Sequence, residues 1–419
     1  MQNRLTLLLT IGLIILIQQF GKAQANQNQQ FLQKTGVVDS LYSQTLEESR
    51  KIYIQLPAGY KPEENQKYPV AFILDGEIFL PTLVDVHNYY SGGFMPEMVL
   101  VGISNEKNRL RDLTSSTINT YYGMPFNQEN GKAENFSKFI ENELIPFIEN
   151  KYPVTNYRTL IGHSYGGLFT IYALLKHPQL FANYLAIDPS LDWDNQKLLK
   201  EADEVLATQK FENKSLFVSL SGQLHMQDSK ITIDNVMQDT TEFTMFARSN
   251  IAFSNVVRQN AKNGLSFDWK FYPRDLHGTI PFPSIMDGLI SLFDWYQWEN
   301  TDQFNSPDTP KEELLSIIKF REKKLKDHFG YPQPPYPEEI LNMSGYMSMD
   351  MEQLEKAKMY FELAMEYYPE SANAFDSMAD YYERKGDFTN AIKYVNKALE
   401  LSGSDYYKQR IEGLIEKNN

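Results

Sequence analysis

The chain has 419 residues, 40 of them Lys or Arg and 54 Asp or Glu, which gives a formal net charge of −14 at pH 7. With 42% apolar residues and no cysteine, the composition is globular and excludes a disulfide-stapled miniprotein, a thiolate nucleophile and Cys-ligated zinc. The acidic balance, without a run of basic residues, offers no attraction for nucleic-acid phosphates or anionic lipid.

Residues 1–25 read as an export signal. Arg4 precedes an apolar run over residues 5–17, and a small-residue site, Ala23-Gln24-Ala25, follows. That run is too short to span a bilayer comfortably, so the mature chain is expected to begin near Asn26 and to be periplasmic or secreted, with no membrane span. From there to residue 300, short β-rich runs alternate with helical stretches. Ile52, Ile54 and Leu56 fall on one face of an alternating strand over 50–56. Residues 69–74, 98–103, 158–161, 184–187 and 216–220 are continuous apolar runs, the pattern of strands covered on both faces. Between them, 135–150 is helical, with Phe136, Phe139, Ile140, Leu144 and Phe147 on one stripe; Pro146 within it predicts a kink or an early end. Strands alternating with helices predict a mostly parallel α/β sheet over 26–300 with an antiparallel N-terminal hairpin.

Residues 301–311 are rich in Asn, Ser, Asp and Pro, and 301–337 are read as a linker and connecting helix. Beyond it the chain repeats itself. Displacement by 34 residues pairs Gly345 with Ala379, Ala357 with Ala391, Tyr360 with Tyr394, Ala364 with Ala398 and Met365 with Leu399, small with small and large with large. That period resembles two tetratricopeptide repeats, at 338–371 and 372–405, in an all-α domain over 338–419. Two repeats rarely suffice alone, so the helix over 311–329 and the last helix are expected to cap them. Ser348 stands where Tyr382 supplies an aromatic ring, which predicts an irregular first repeat.

Gly162-His163-Ser164-Tyr165-Gly166 fits G-x-S-x-G, the sharp turn that presents a nucleophilic serine. A strand pattern precedes it and a helical one follows, as the motif requires. Its glycines permit a strained turn, and the following helix N-terminus favours a developing oxyanion. Ser164 needs a base. Among six histidines, His277 follows the alternating Phe267, Trp269 and Phe271 and opens a loop before the last helix of the region, which is where a general base belongs. His87, His163, His177 and His328 are read as structural or surface residues. For the acid, the loop over 221–241 holds Asp228, Asp234 and Asp239; Asp228, nearest the strand end, is favoured, with Asp239 next and a Ser-His dyad as the remaining reading. The oxyanion donors are expected to be the backbone N–H of Tyr165 and that of Gly76 or Glu77, in the loop after the strand over 69–74.

Together with Leu56-Pro57, Gly59-Tyr60, Tyr68-Pro69-Val70, Leu74-Asp75-Gly76, Val101-Gly102-Ile103, Arg109 and Arg111-Asp112-Leu113-Thr114, this motif resembles the esterase family that takes in esterase D, enterochelin-type siderophore esterases and feruloyl esterases. The resemblance covers about residues 36–300 and implies an α/β-hydrolase fold with Ser164 as nucleophile and His277 as base. It departs at the acid, since Gln223, Leu224 and His225 follow Gly222 with no carboxylate among them.

The expected function is that of an exported serine esterase working through an acyl-enzyme, on a siderophore ester or on a hydroxycinnamoyl or acetyl ester of a polysaccharide. Acyl transfer by the same residues, or an inert scaffold acting through its repeats, are the rival readings. Arg109 and Arg111 lie at the sheet end that hosts α/β active sites, and one of them is expected to contact an anionic part of the substrate; an internal pair with Asp112 is the alternative. There is no H-E-x-x-H, P-loop or dinucleotide fingerprint, so neither metal nor cofactor is expected. The repeats are expected to bind a protein partner.

Overall fold

In the computed structural model, which describes residues 36–60, 66–225 and 228–418, the apolar runs of the first part of the chain form one sheet. The export signal lies outside the described residues. The strands of the sheet are β1 (Val37–Ser43), β2 (Glu48–Gln55), β3 (Tyr68–Leu74), β4 (Val99–Ile103), β7 (Val154–His163), β8 (Asn183–Ile187), β9 (Ser215–Ser221) and β10 (Ser266–Tyr272). A two-stranded ribbon, β5 (Thr120–Tyr121) and β6 (Met124–Pro125), stands apart from it.

The order across the sheet is β1-β2-β4-β3-β7-β8-β9-β10. β1 pairs antiparallel with β2, and β2 with β4, while every other pairing is parallel. The expected antiparallel hairpin and parallel sheet are both present. β3, β4 and β8 are buried along their whole length, because helices cover both faces, and this explains their unbroken apolar sequences. Burying each Val, Leu, Ile or Phe of such strands contributes about 1.5–3 kcal/mol.

The chain goes from β3 outward to β4 and then returns to the other side of β3 as β7. The crevice between the C-terminal ends of β3 and β7 is therefore a topological switch point, where open α/β sheets bind ligands. Helices α1 (Gly76–Tyr90) and α5 (Tyr165–Lys176) start at those two ends. The segment α2 (Arg109–Leu113) follows β4.

The helix carrying Pro146 does not end early, and the disturbance expected there is a change of helical type. It runs as α3 (Ala133–Phe139), one π-helical turn (Ile140–Leu144) and α4 (Ile145–Lys151), with Ile145 N–H donating to Ile140 O. The extra residue in that turn relieves what a proline breaks, its missing N–H and its clash with the carbonyl four residues back. Phe136 and Phe139 before the turn and Ile140 and Leu144 within it stay fully buried.

α6 (Trp193–Thr208), α7 (Met245–Gln259) and α8 (Pro281–Leu292) complete the first unit, which ends at Trp295. The second unit, from Tyr296, is wholly helical. Where an irregular linker is expected, residues 301–305 form a helix, α9 (Thr301–Asn305), because Phe304 stacks on Tyr336 at 4.5 Å. After α10 (Lys311–Phe329), the helices α11 (Glu338–Asp350), α12 (Leu354–Tyr367), α13 (Ala372–Arg384) and α14 (Phe388–Ser402) form two hairpins, followed by α15 (Asp405–Asn418). The small residues recurring at 34-residue spacing are the crossing points. A Cβ on Gly345 would stand 2.4 Å from the Phe361 ring. Leu314, Ile317 and Ile318 of α10 pack on the first hairpin and Leu414 of α15 on the second. Tyr382 stacks on Tyr394, whereas Ser348 instead bonds its own helix at Ser344 O.

Candidate active site

Parallel register puts the ends of four strands in one line. His163 of β7 pairs with Ile187 of β8, Ile187 with Ser219 of β9, and Ser221 with Tyr272 of β10. The residues just beyond these ends are brought together by the sheet itself.

Ser164, between β7 and α5, caps the helix with φ 60° and ψ −116°, a backbone conformation that costs a non-glycine residue on the order of 1–3 kcal/mol. Gly162 makes the turn feasible, since a Cβ there would lie 2.2 Å from the carbonyl oxygen of Gly166. Ser164 N–H donates to Ile187 O, and Ser164 O accepts from Leu168 and Ser190, so the strained turn is held on both sides. Its Oγ is 3.0 Å from Nε2 of His277 and 3.2 Å from Oγ of Ser190.

His277 lies in the loop after β10. Its Nδ1 is 2.7 Å from Oδ2 of Asp188, a carboxylate with no solvent exposure. Asp188 is the residue immediately after β8, at φ 42°, in a left-handed conformation that aspartate tolerates. Its other oxygen accepts the N–H of Ser221. With one oxygen fixed by that N–H and the other facing Nδ1, the carboxylate holds the imidazole with Nε2 directed at Ser164.

The carboxylate that meets His277 is thus neither Asp228 nor Asp239. Asp228 is in an exposed turn, where its N–H donates to His225 Nδ1 and its carboxylate accepts from Lys230 N–H. Asp239 accepts from Thr241 and Thr244 at the start of the segment leading into α7. Where a carboxylate was expected after β9, Gln223 accepts the backbone N–H of His277 through Oε1, and Gly222 N–H donates to Asp275 O. That loop fixes the histidine backbone, and the charge comes from one strand earlier. The signal was an aspartate directly after a buried strand in Ile187-Asp188-Pro189-Ser190.

His163 also belongs here. It donates from Nε2 to His277 O at 2.8 Å, and its ring lies 4.6 Å from that of His277 and edge-on to Phe79. Burial, aided by the neighbouring His277, pushes its pKa down to about 4, so the ring is neutral and its N–H is available for that bond.

Tyr165 opens α5 and Gly76 and Glu77 open α1, at the C-terminal ends of the paired strands β7 and β3. Gly76 is required by packing: a Cβ on it would lie 2.5 Å from the backbone of Gly102 in β4. Arg109 ties these two loops together. Its guanidinium bonds both carboxylate oxygens of buried Asp75, at 2.9–3.0 Å, and donates to His163 O at 3.0 Å. Arg111 is engaged by Asp112 at 2.8 Å and by Glu48, in a cluster that also holds buried Arg50. Both arginines are thus paired with carboxylates of the protein: the internal pair of Arg111 with Asp112 exists, and Arg109 bridges the two loops with its side chain 32% exposed.

A sequence profile of the family described as Putative esterase matches residues 43–263. The chain belongs to this family. It is a carboxylic-ester hydrolase by that membership, and profiles of the tetratricopeptide repeat match 338–371 and 372–405. The esterase is 31% identical over 210 residues to ferri-bacillibactin esterase BesA of Bacillus subtilis, covering 46% of this chain and 72% of that one. To a siderophore enterobactin esterase of Emericella nidulans it is 45% identical over 184 residues, covering 41% of this chain and 59% of the relative. Among solved structures, an IroE-like serine hydrolase of Shewanella oneidensis, 28% identical, superposes with a TM-score of 0.64 over 79% of this chain and 99% of its own. An uncharacterised protein of Capnocytophaga ochracea, 20% identical, shares the fold at a TM-score of 0.58 over 91% and 99%.

Proposed function

We propose that the esterase cleaves small-molecule carboxylic esters by an acyl-enzyme route in which Ser164 is the nucleophile, His277 the base and Asp188 the acid. The observation that carries this reading is the Ser164–His277–Asp188 chain of contacts, at 3.0 and 2.7 Å, on a strained turn at the switch point of the sheet. Nε2 of His277 takes the hydroxyl proton as Oγ attacks the ester carbonyl, then returns it to the departing alcohol. Water repeats the sequence on the acyl-enzyme. Asp188 keeps Nδ1 protonated and stabilises the transient imidazolium. The backbone N–H groups of Tyr165 and of Gly76 or Glu77, first-turn donors of two helices, receive the oxyanion.

Siderophore-type esters are the favoured substrates, because the named relatives at 31% and 45% identity are siderophore esterases. The Arg4 and apolar-run leader ending at Ala23-Gln24-Ala25 supports export before the enzyme meets such an ester. Among the described residues no helix is long and apolar enough to cross a membrane. The repeats serve a protein partner and carry no part of the chemistry. Turnover of 4-nitrophenyl acetate, enterobactin-type trilactones and feruloyl esters by the mature protein tests the reading. Hydrolysis of the aryl ester and a trilactone, both lost in Ser164→Ala, is expected; a protein inert on all three overturns it.

A further inference from the structure

Beside the triad lies a cavity of about 370 Å³ whose walls come from the β5–β6 ribbon, the start of α6 and the start of α7. Its charged residues are Asp192, Asp194 and Glu242, and none of its lining residues is basic. Asp192 is two residues beyond Ser190, whose hydroxyl touches Ser164, and Trp193 packs edge-on against Tyr165 at 5.5 Å. The cavity is therefore a neighbour of the reacting serine.

Asp192 is 3% exposed. The hydroxyls of Tyr121 and Tyr122 both donate to its Oδ2, at 2.8 Å. Its Oδ1, equally buried, meets no donor from another residue, and among the described residues no Lys or Arg forms an ion pair with it. A buried carboxylate in that state is costly unless a cation or further donors compensate it. Asp194 is met only by Lys197, at 3.9 Å, and Glu242 stands exposed at the rim. The basic residue following them, Arg248, is spent on Thr241 O and the Thr244 hydroxyl.

We infer that this cavity is a subsite for a positively charged organic group on the ester substrate, an ammonium or guanidinium drawn in by the charges of Asp192, Asp194 and Glu242. A neutral polyol would leave the charge of three acidic residues lining a single cavity uncompensated. A metal ion fits poorly, because among the described residues no three acidic or imidazole groups stand close enough together to hold one. The inference rests on the proposed ester hydrolysis and narrows it: esters bearing anionic groups near the scissile bond are disfavoured.

The test compares 4-nitrophenyl esters of matched straight-chain acids ending in a guanidinium, an isopropyl or a sulfonate group. The guanidinium ester is expected to exceed the sulfonate ester in kcat/KM by about tenfold or more, with the neutral ester between, and the ratio to shrink as salt screens the site. In Asp194→Asn with Glu242→Gln, and separately in Asp192→Asn, the guanidinium-to-isopropyl ratio measured within each variant should fall towards one. A ratio near one in the unaltered protein, a ratio the substitutions leave unchanged, or preference for the sulfonate overturns the subsite. If no ester in the series is cleaved, the hydrolytic reading fails on its own. Calorimetric titration with 4-guanidinobutanol then still decides the subsite: binding that Asp192→Asn abolishes supports it, and no binding overturns it.

Discussion

Oδ2 of Asp188 lies 2.7 Å from Nδ1 of His277, while Oδ1 of the same carboxylate accepts the N–H of Ser221 on the neighbouring strand. This carboxylate is thus fixed from two sides, with one oxygen held facing the imidazole. Asp188→Asn is expected to lower kcat on an activated ester by about a hundredfold to ten-thousandfold, because the amide no longer enforces the productive tautomer. Asp228→Asn, at an exposed position, and Asp239→Asn, bonded only within its own loop, should change it by less than about twofold. Steady-state kinetics on the three variants checks the assignment, and a larger loss in Asp228→Asn would move the acid back to the loop after β9.

Arg109 links the loop before Gly76 to the residue before Ser164, so its removal disturbs both halves of the site at once. Arg109→Ala leaves Asp75, buried in the protein, without its cation. The expected cost is about 2 kcal/mol, below the roughly 3–5 kcal/mol of a fully buried pair because the Arg109 side chain is itself 32% exposed. Denaturant unfolding should show this loss, and kcat/KM should fall alike for anionic, neutral and cationic esters. A loss confined to anionic esters would instead make Arg109 a substrate contact.

Two buried histidines make the fold less stable as pH falls. His87 and His163 are each held at about 4 by burial, and Nε2 of His87 accepts the N–H of Met98, a bond only the unprotonated nitrogen can make. An unfolded histidine takes its proton near pH 6.5, before the folded one does. Between about pH 6.5 and 4 the unfolded chain therefore binds more protons, so stability falls as pH falls and is fully present above that window. Each ring contributes up to about 3 kcal/mol to that fall. Unfolding measured from pH 7 to 4.5 should show the slope, and His87→Asn should flatten it by about one proton.

Glycine substitutions separate the two units. Gly162→Ala forces a Cβ against the Gly166 carbonyl, backbone on backbone, and should abolish ester turnover or soluble expression. Gly345→Ala meets the edge of the Phe361 ring, a side chain that can yield, and should cost the helical unit about 1–3 kcal/mol by thermal unfolding. If the repeats carry no chemistry, the Gly345→Ala protein hydrolyses small esters at the unaltered rate below its unfolding temperature.

What was legible in the sequence was whatever local pattern dictates. The buried strands announce themselves as apolar runs, Ser164 by its glycine-flanked turn, and His277 by its place after the last strand. The repeats show in their 34-residue spacing of small residues. The aspartate that meets His277 was missed because chain order allows any aspartate between Ser164 and His277, and only the β7–β8–β9 register puts Asp188 beside the imidazole. Arg109 and Asp75, or Tyr121 and Asp192, are joined across sequence separations that no local period reports. Pro146 was legible as a disturbance, but its solution, a single π turn, depends on the packing of Phe139 before it and Leu144 within it.

The most direct test of the triad is to treat the mature protein with a fluorophosphonate and locate the adduct by peptide mass spectrometry. A single adduct on Ser164, formed far more slowly in His277→Ala and Asp188→Asn and absent from Ser164→Ala, is the predicted result. An adduct on another residue, or none on Ser164 in a protein that still hydrolyses esters, would contradict it.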